Sequence, residues 1–178
     1  PESEPGPSIF AQRAEKLLIQ GNDAYMQGDL LGAIAAYDQA LFIKPDNHKA
    51  LYQKGGALHN LGRYQDAIDT YDQALAIKSD DYKVISKKGA ALDSLGRYQN
   101  AIDAYDQALA IKSDYDVVWA NRASAICNLG RSYTSYRNLD SHFQIQSIPA
   151  LQASEPHIAA LEEALPHLKQ GSVGWGNL

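Results

Sequence analysis

Apolar residues recur at helical spacing in paired segments that repeat along the chain. Their pattern predicts helices near residues 48–61 and 64–77, and again near 82–95 and 98–111. Residues 61–80 return almost unchanged as residues 95–114, at an offset of 34 residues. A repeat of this length is one supersecondary unit that buries its apolar face only against its neighbours. The pattern therefore predicts an array of stacked helix pairs.

Small residues recur at four fixed places of this unit when the copies are counted from Ala14, His48, Tyr82 and Asp116, with His142 as the one departure. The eighth place holds Gly21, Gly55, Gly89 and Ala123; the fifteenth holds Gly28, Gly62, Gly96 and Gly130; the twentieth holds Ala33, Ala67, Ala101 and Ser135; the twenty-seventh holds Ala40, Ala74, Ala108 and His142. Small residues at fixed places allow close helix contacts, which bulky residues at other places then fill. The bulky places hold Leu17, Leu51, Ile85 and Trp119, and then Tyr37, Tyr71, Tyr105 and Leu139.

This column pattern resembles the tetratricopeptide repeat family, whose signature combines such small and aromatic places with a final proline. Only Pro45 keeps that proline, because Ser79, Ser113 and Ser147 stand in the other copies. The resemblance implies an all-α, right-handed solenoid of antiparallel helix pairs over residues 9–149, followed by a C-terminal capping helix at 150–170. The implied repeats are 14–47, 48–81, 82–115 and a degenerate fourth, 116–149.

Both ends of the chain are predicted to lie outside the array. Residues 1–8 have the Pro-rich, acidic composition of a disordered linker, and 171–178 form a loose Gly-rich tail. From the linker and the absence of an initial Met, we expect the chain to be a fragment or a processed form of a longer protein.

Residues 132–154 have two interpretations. In the first, the repeat continues in register. In the second, they form an inserted loop, and 158–165 supplies the missing helix because it matches 34–41 at five of eight places. The first is favoured, since a structureless loop of about 23 residues is uncommon in a compact domain.

Composition excludes several function classes. The net charge of −5 argues against a broad nucleic-acid surface, and no apolar run reaches the roughly 20 residues that a membrane helix needs. Cys127 is the only cysteine, and the five histidines show no metal-ligand or nucleophile spacing. We expect a cytoplasmic protein that is not an enzyme and needs no cofactor or metal.

The resemblance also implies that the first helix of each repeat lines a concave groove. The inward places differ between units whose other columns barely change, so they are the candidates for ligand contact. The predicted peptide-binding residues are Asn22, Tyr25, Lys49, Tyr52, Gln53, Asn60, Lys83, Lys87, Asn121 and Asn128. The amides can donate to and accept from a peptide backbone, while the lysines favour an acidic segment or a terminal carboxylate.

One subfamily binds the C-terminal carboxylates of chaperones through Lys, Asn and Arg side chains. Asn22 and Lys83 match that set, while Leu18 stands in place of its first Lys. Gln53 replaces an Asn, and Lys87 replaces the Arg. The predicted function is a protein-interaction scaffold that binds an extended, acidic or carboxylate-terminated peptide. The alternatives are a structural module that assembles into a homo-oligomer, or the regulatory arm of a larger protein.

Overall fold

The structure is a computed structural model that describes residues 8–140, with side chains up to Ser132. Over this range the chain forms seven helices and no strands. They are α1 (Ile9–Met26), α2 (Leu30–Ile43), α3 (His48–Asn60), α4 (Tyr64–Ile77), α5 (Tyr82–Ser94), α6 (Tyr98–Ile111) and α7 (Asp116–Asp140). The predicted all-α class is confirmed, and the helix pairs α3–α4 and α5–α6 begin and end within one residue of their predicted bounds.

The turn inside each of the first three units depends on glycine. Gly28, Gly62 and Gly96 have φ angles of 82°, 79° and 74°, in the left-handed region that residues with a side chain rarely adopt. Between units, Asn47 and Asp81 cap the helix that comes next, since their side-chain oxygens accept from the backbone N–H groups of Ala50 and Val84. In the second and third units, these turns lie between the predicted helices, as the spacing of the apolar residues requires.

In each of the first three units, one core tyrosine packs against one glycine of the preceding helix. Tyr37, Tyr71 and Tyr105 are each 1% exposed. A Cβ atom added to Gly89 would lie only 2.8 Å from Tyr105 Cε1. A Cβ atom added to Gly21 or Gly55 would lie closer still to the ring of Tyr37 or Tyr71. The small and bulky columns of the sequence are thus two sides of the same helix contact.

The array curves around its odd-numbered helices. Each helix packs on the next in the chain, and α1 also contacts α3, α3 contacts α5, and α5 contacts α7. Among the described helices, the even-numbered ones make no such contacts with one another. The odd-numbered helices are therefore closer together and lie on the inner side of the curve.

Repeated ion pairs join each unit to the next one. Lys54 Nζ lies 2.6 Å from Asp38 Oδ1, and Lys88 Nζ lies 2.6 Å from Asp72 Oδ1. Arg122 pairs with Asp106 in the same way. Each pair connects an odd helix to the even helix before it, so the same ion pair accompanies the contact between neighbouring units.

The fourth unit differs from both interpretations of its sequence. Gly130 aligns with the turn glycines, yet α7 continues through it to Asp140 as one helix of 25 residues. An inserted loop is therefore wrong for residues 132–140. A turn leads to a second helix only where that helix gains packing, and Ser135 replaces the fully buried alanine of the other units. Residues 141–149, the predicted capping helix at 150–170 and the tail at 171–178 lie outside the described residues.

Candidate functional site

All ten predicted site residues are on odd-numbered helices. We call the surface where α1, α3, α5 and α7 contact one another the odd-helix face. The residues are Asn22 and Tyr25 on α1; Lys49, Tyr52, Gln53 and Asn60 on α3; Lys83 and Lys87 on α5; and Asn121 and Asn128 on α7.

Hydrogen bonds connect neighbouring odd helices at equivalent places of the repeat. Asn60 Nδ2 donates to Tyr25 Oη at 2.6 Å, between α3 and α1. The equivalent contacts are Ser94 Oγ with His59 Nε2 at 3.5 Å, and Asn128 Nδ2 with Asp93 Oδ1 at 3.4 Å. These contacts hold the side chains of the odd-helix face in a fixed row along the array.

A cavity of about 140 Å³ opens between α1, α3, α4 and α5. Its lining residues are Tyr25, Tyr52, Gln53, Gly56, His59, Asn60, Tyr71 and Lys87. Five of the ten predicted site residues therefore meet at one place. We call this space the Tyr71 cavity.

The other predicted residues do not line the Tyr71 cavity. Asn22 Oδ1 accepts a hydrogen bond of 2.9 Å from Tyr37 Oη, so this amide oxygen serves the packing of the first unit. Lys49 Nζ lies 3.9 Å from Glu15 Oε1, and both side chains are largely exposed.

The remaining predicted residues lie further along the array. Lys83 Nζ lies 5.9 Å from the centre of the Tyr82 ring, which is a weak cation–π contact at an exposed position. Asn128 is bonded to Asp93, and Asn121 is half-buried on the same helix. These residues are separate contacts rather than members of the same cluster.

Sequence reasoning missed Tyr71 as a site residue. Its place in the repeat marks it as a core residue, and 1% exposure confirms that role. The signal that identifies it is the ninth place of the unit, which holds Asn22, Gly56 and Ala90. In the first unit the Asn22 amide accepts a hydrogen bond from its core tyrosine, Tyr37. The second unit has Gly56 at the place of Asn22, and there the core tyrosine, Tyr71, lines the cavity.

Burial raises the pKa of two tyrosines that line the Tyr71 cavity. It raises the pKa of Tyr71 above the ordinary value, and the neighbouring Tyr52 and Tyr25 raise it further. Burial is also the largest cause of the raised pKa of Tyr52. These phenols are therefore hydrogen-bond donors throughout the neutral pH range.

The described residues contain no group of three His, Cys, Asp or Glu side chains that could hold a metal ion. No helix in the described range is long and apolar enough to cross a membrane.

Two family models, both described as tetratricopeptide repeat, match the chain. One matches residues 19–82 and the other 82–115, which together span more than half of the sequence. No curated protein matches it.

Solved structures share the fold over most of the chain. The crystal structure of MamA is 20% identical with a TM-score of 0.71, and the match covers 89% of this chain and 80% of that one. The first tetratricopeptide domain of Spaghetti (RPAP3), bound to an HSP90 peptide, is 22% identical with a TM-score of 0.65, covering 68% and 98%. A domain of yeast Sti1 in complex with an Hsp70 peptide is 18% identical with a TM-score of 0.61, covering 64% and 96%.

Proposed function

The chain belongs to the tetratricopeptide repeat family, and from that premise we propose that it binds an extended, acidic or carboxylate-bearing peptide on its odd-helix face. Its broader role is that of a protein-interaction scaffold, which the fold and the peptide complexes of two structural neighbours support. We propose that the module itself is not catalytic.

The observation that carries this proposal is the clustering of five predicted residues around the Tyr71 cavity. A peptide needs donors and acceptors for its backbone, which Gln53 and Asn60 supply, and adaptable contact area, which Tyr25 and Tyr52 supply. Because these side chains come from neighbouring units, a bound segment would run along the array rather than into one repeat.

Charge supports an acidic ligand. Within the described part of the chain, Lys87 has no ion pair, whereas the adjacent Lys88 is paired with Asp72. Lys83 lies one turn away on the same helix, also without an ion pair in that part of the chain. Two exposed ammonium groups on one face of an otherwise acidic protein favour an acidic segment and speed its association.

The arrangement departs from the chaperone-binding subfamily at its first asparagine. Asn22 matches that residue in sequence, but its amide oxygen accepts from Tyr37. Gln53 and Lys87 do line the Tyr71 cavity. We therefore propose carboxylate recognition centred on the second and third units rather than on the first.

The test is binding to an array of acetylated heptapeptides with acidic, neutral and basic compositions. Replacing Lys83→Ala and Lys87→Ala together should weaken acidic peptides about fivefold, because two exposed charges are lost. The matched control is Lys44→Ala with Lys78→Ala, which removes the same charge at turns between units. Equal binding by both double variants, with unchanged helical circular dichroism, would contradict the proposal.

A second candidate function, self-assembly, is favoured by the first end of the array. Phe10 and Phe42 are 71% and 91% exposed, and with Leu17 they line an open cleft of about 460 Å³ between α1 and α2. Leu51 and Ile85 occupy the same place in the second and third units. Each is only 3% exposed, because the even helix of the preceding unit covers it. An apolar surface that the described residues leave uncovered in this way suits a second copy of the chain.

A further inference from the structure

The first and last places of a unit contact each other where that unit joins the next one. In the third unit they hold Tyr82 and Tyr115, whose rings lie 5.4 Å apart and perpendicular to each other. In the second unit they hold His48 and Asp81, with 3.5 Å between His48 Nε2 and Asp81 Oδ2. A planar ring thus occupies the first place of both units and is in contact with the last place.

The first unit has no ring at this place. Its first and last residues are Ala14 and Asn47, and both line an open cleft of about 570 Å³. Unlike α3 and α5, which begin at the first place of their units, α1 begins earlier, at Ile9, and Ala11 of this added turn also lines the cleft. The missing ring and the added helical turn together form this space, which we call the Ala14 cleft.

The lining of the Ala14 cleft suits a flat apolar group. Ala14 is 1% exposed, so its methyl group lies at the floor, while Ile19 is 52% exposed at one side. A ring that packs on Ile19 removes apolar surface of both groups from water. The volume is within the range of sites that hold small organic groups, so a phenyl or phenol ring fits together with the backbone that carries it.

The Ala14 cleft is continuous with the odd-helix face. Glu15 lines the cleft and its Oε1 atom also lies 3.9 Å from Nζ of Lys49, a predicted peptide-binding residue on α3. A peptide that follows the odd-numbered helices can therefore insert one side chain into the cleft without leaving this face.

We propose that the Ala14 cleft binds one aromatic side chain of the peptide partner, at the place where the next two units carry a ring of their own. The inference rests on the proposed function and deepens it, because it adds an aromatic residue, and a position for it, to a ligand that is otherwise defined by its acidic groups. A ring is favoured over a branched aliphatic side chain because both later copies of this place hold flat rings.

The experiment measures the binding of acetylated, acidic dodecapeptides by isothermal titration calorimetry. One position near the start, the middle or the end of the peptide carries Ala, Leu, Phe or Tyr. Phe and Tyr should bind about fivefold tighter than Ala, since the ring buries apolar surface against Ala14 and Ile19. Leu should gain less, because it fills less of the cleft. The gain should occur at one end of the peptide only, because the cleft lies in the first unit.

The third unit suggests the variant that fills the cleft. Asn47→Tyr copies its last place and puts a ring of the chain itself into the space, so the preference for Phe and Tyr over Ala should be lost. Asp81→Tyr is the matched control, because it also replaces the side chain that caps the next helix but lies outside the cleft lining.

A second pair of variants tests the apolar wall without filling the cleft. Ile19→Ser should reduce the aromatic preference at least twofold. Ile77→Ser makes the same replacement at a residue of similar exposure, 45%, that does not line the cleft, and should keep the preference. Helical circular dichroism shows that each variant is folded.

The outcomes separate this subsite from the proposed function. If acidic peptides bind but Phe and Tyr give no gain at any position, or if folded Asn47→Tyr keeps the full gain, the subsite fails and acidic-peptide binding stands. If Leu binds as tightly as Phe, selectivity for a ring is refuted. If the wild-type chain binds no peptide, the proposed function fails as well. The Ala14 cleft shares no lining residue with the cleft between α1 and α2, so Asn47→Tyr and Ile19→Ser leave that surface unchanged.

Discussion

Two adjacent glycines of α3 have opposite relations to the same tyrosine. Gly55 lies under the Tyr71 ring, where a Cβ atom would come within 2.7 Å of Cδ1, while a Cβ atom on Gly56 would meet only the hydroxyl at 4.0 Å. The ring is buried between two helices and cannot move aside without disturbing the core. One glycine is therefore required for packing, and the other leaves a cavity open.

Gly55→Ala should lower the free energy of unfolding by about 1–3 kcal/mol, because the added methyl group overpacks the contact with Tyr71. Gly56→Ala should instead raise it by up to about 1 kcal/mol, since alanine favours the helix and its methyl group finds space. Urea denaturation followed by circular dichroism measures both. Equal effects at the two positions would refute the assignment of Gly55 to the helix contact.

At the level of single residues, the sequence predicts the candidate site only in part. Five predicted residues meet at the Tyr71 cavity because helical spacing and the repeat period place them there. The role of Asn22 could not be predicted, because it depends on a hydrogen bond to Tyr37 on another helix. Tyr71 was missed for the same reason: the absence of a side chain at Gly56 becomes informative only when the ninth places are compared in space.

At the level of helices, the repeat predicts the first three pairs well and the fourth unit poorly. The three pairs combine a glycine turn with buried small residues on the next helix, so local and tertiary preferences agree. In the fourth unit the turn glycine is kept at Gly130, but Ser135 replaces the buried alanine of the other units. Whether a glycine ends a helix depends on how well the residues after it can pack. The pattern of residues at fixed places of the repeat does not predict that packing.

Gly62→Ala and Gly130→Ala should therefore differ. At Gly62 the backbone has a φ of 79°, which costs a residue with a side chain about 1–2 kcal/mol, and the stability should fall by that amount. At Gly130 the backbone is helical, so alanine should cause no loss of stability and a small gain in helical ellipticity. Thermal unfolding monitored by far-ultraviolet circular dichroism checks both, and equal destabilisation would indicate a turn at Gly130.

At the level of the whole molecule, stacking leaves the first end of the array unlike its middle. Each inner odd helix is covered by an even helix and tied to it by an ion pair such as Lys88 with Asp72. The first odd helix has no such cover in the described part of the chain, and Phe42 beside it is 91% exposed. A nearest-neighbour solenoid lowers its free energy by adding a unit at such an end, and a second copy can supply that contact.

Multi-angle light scattering across the micromolar range tests this association. The mass of the wild-type chain should rise with concentration toward that of a dimer, and Phe42→Ser should keep the chain monomeric because the apolar contact is lost. Leu31→Ser is the matched control, since Leu31 is 65% exposed on the same helix but does not line the cleft. A wild-type monomer at all concentrations would exclude self-assembly through this end, leaving peptide binding on the odd-helix face unaffected, because the cleft shares no residue with the predicted peptide-binding set.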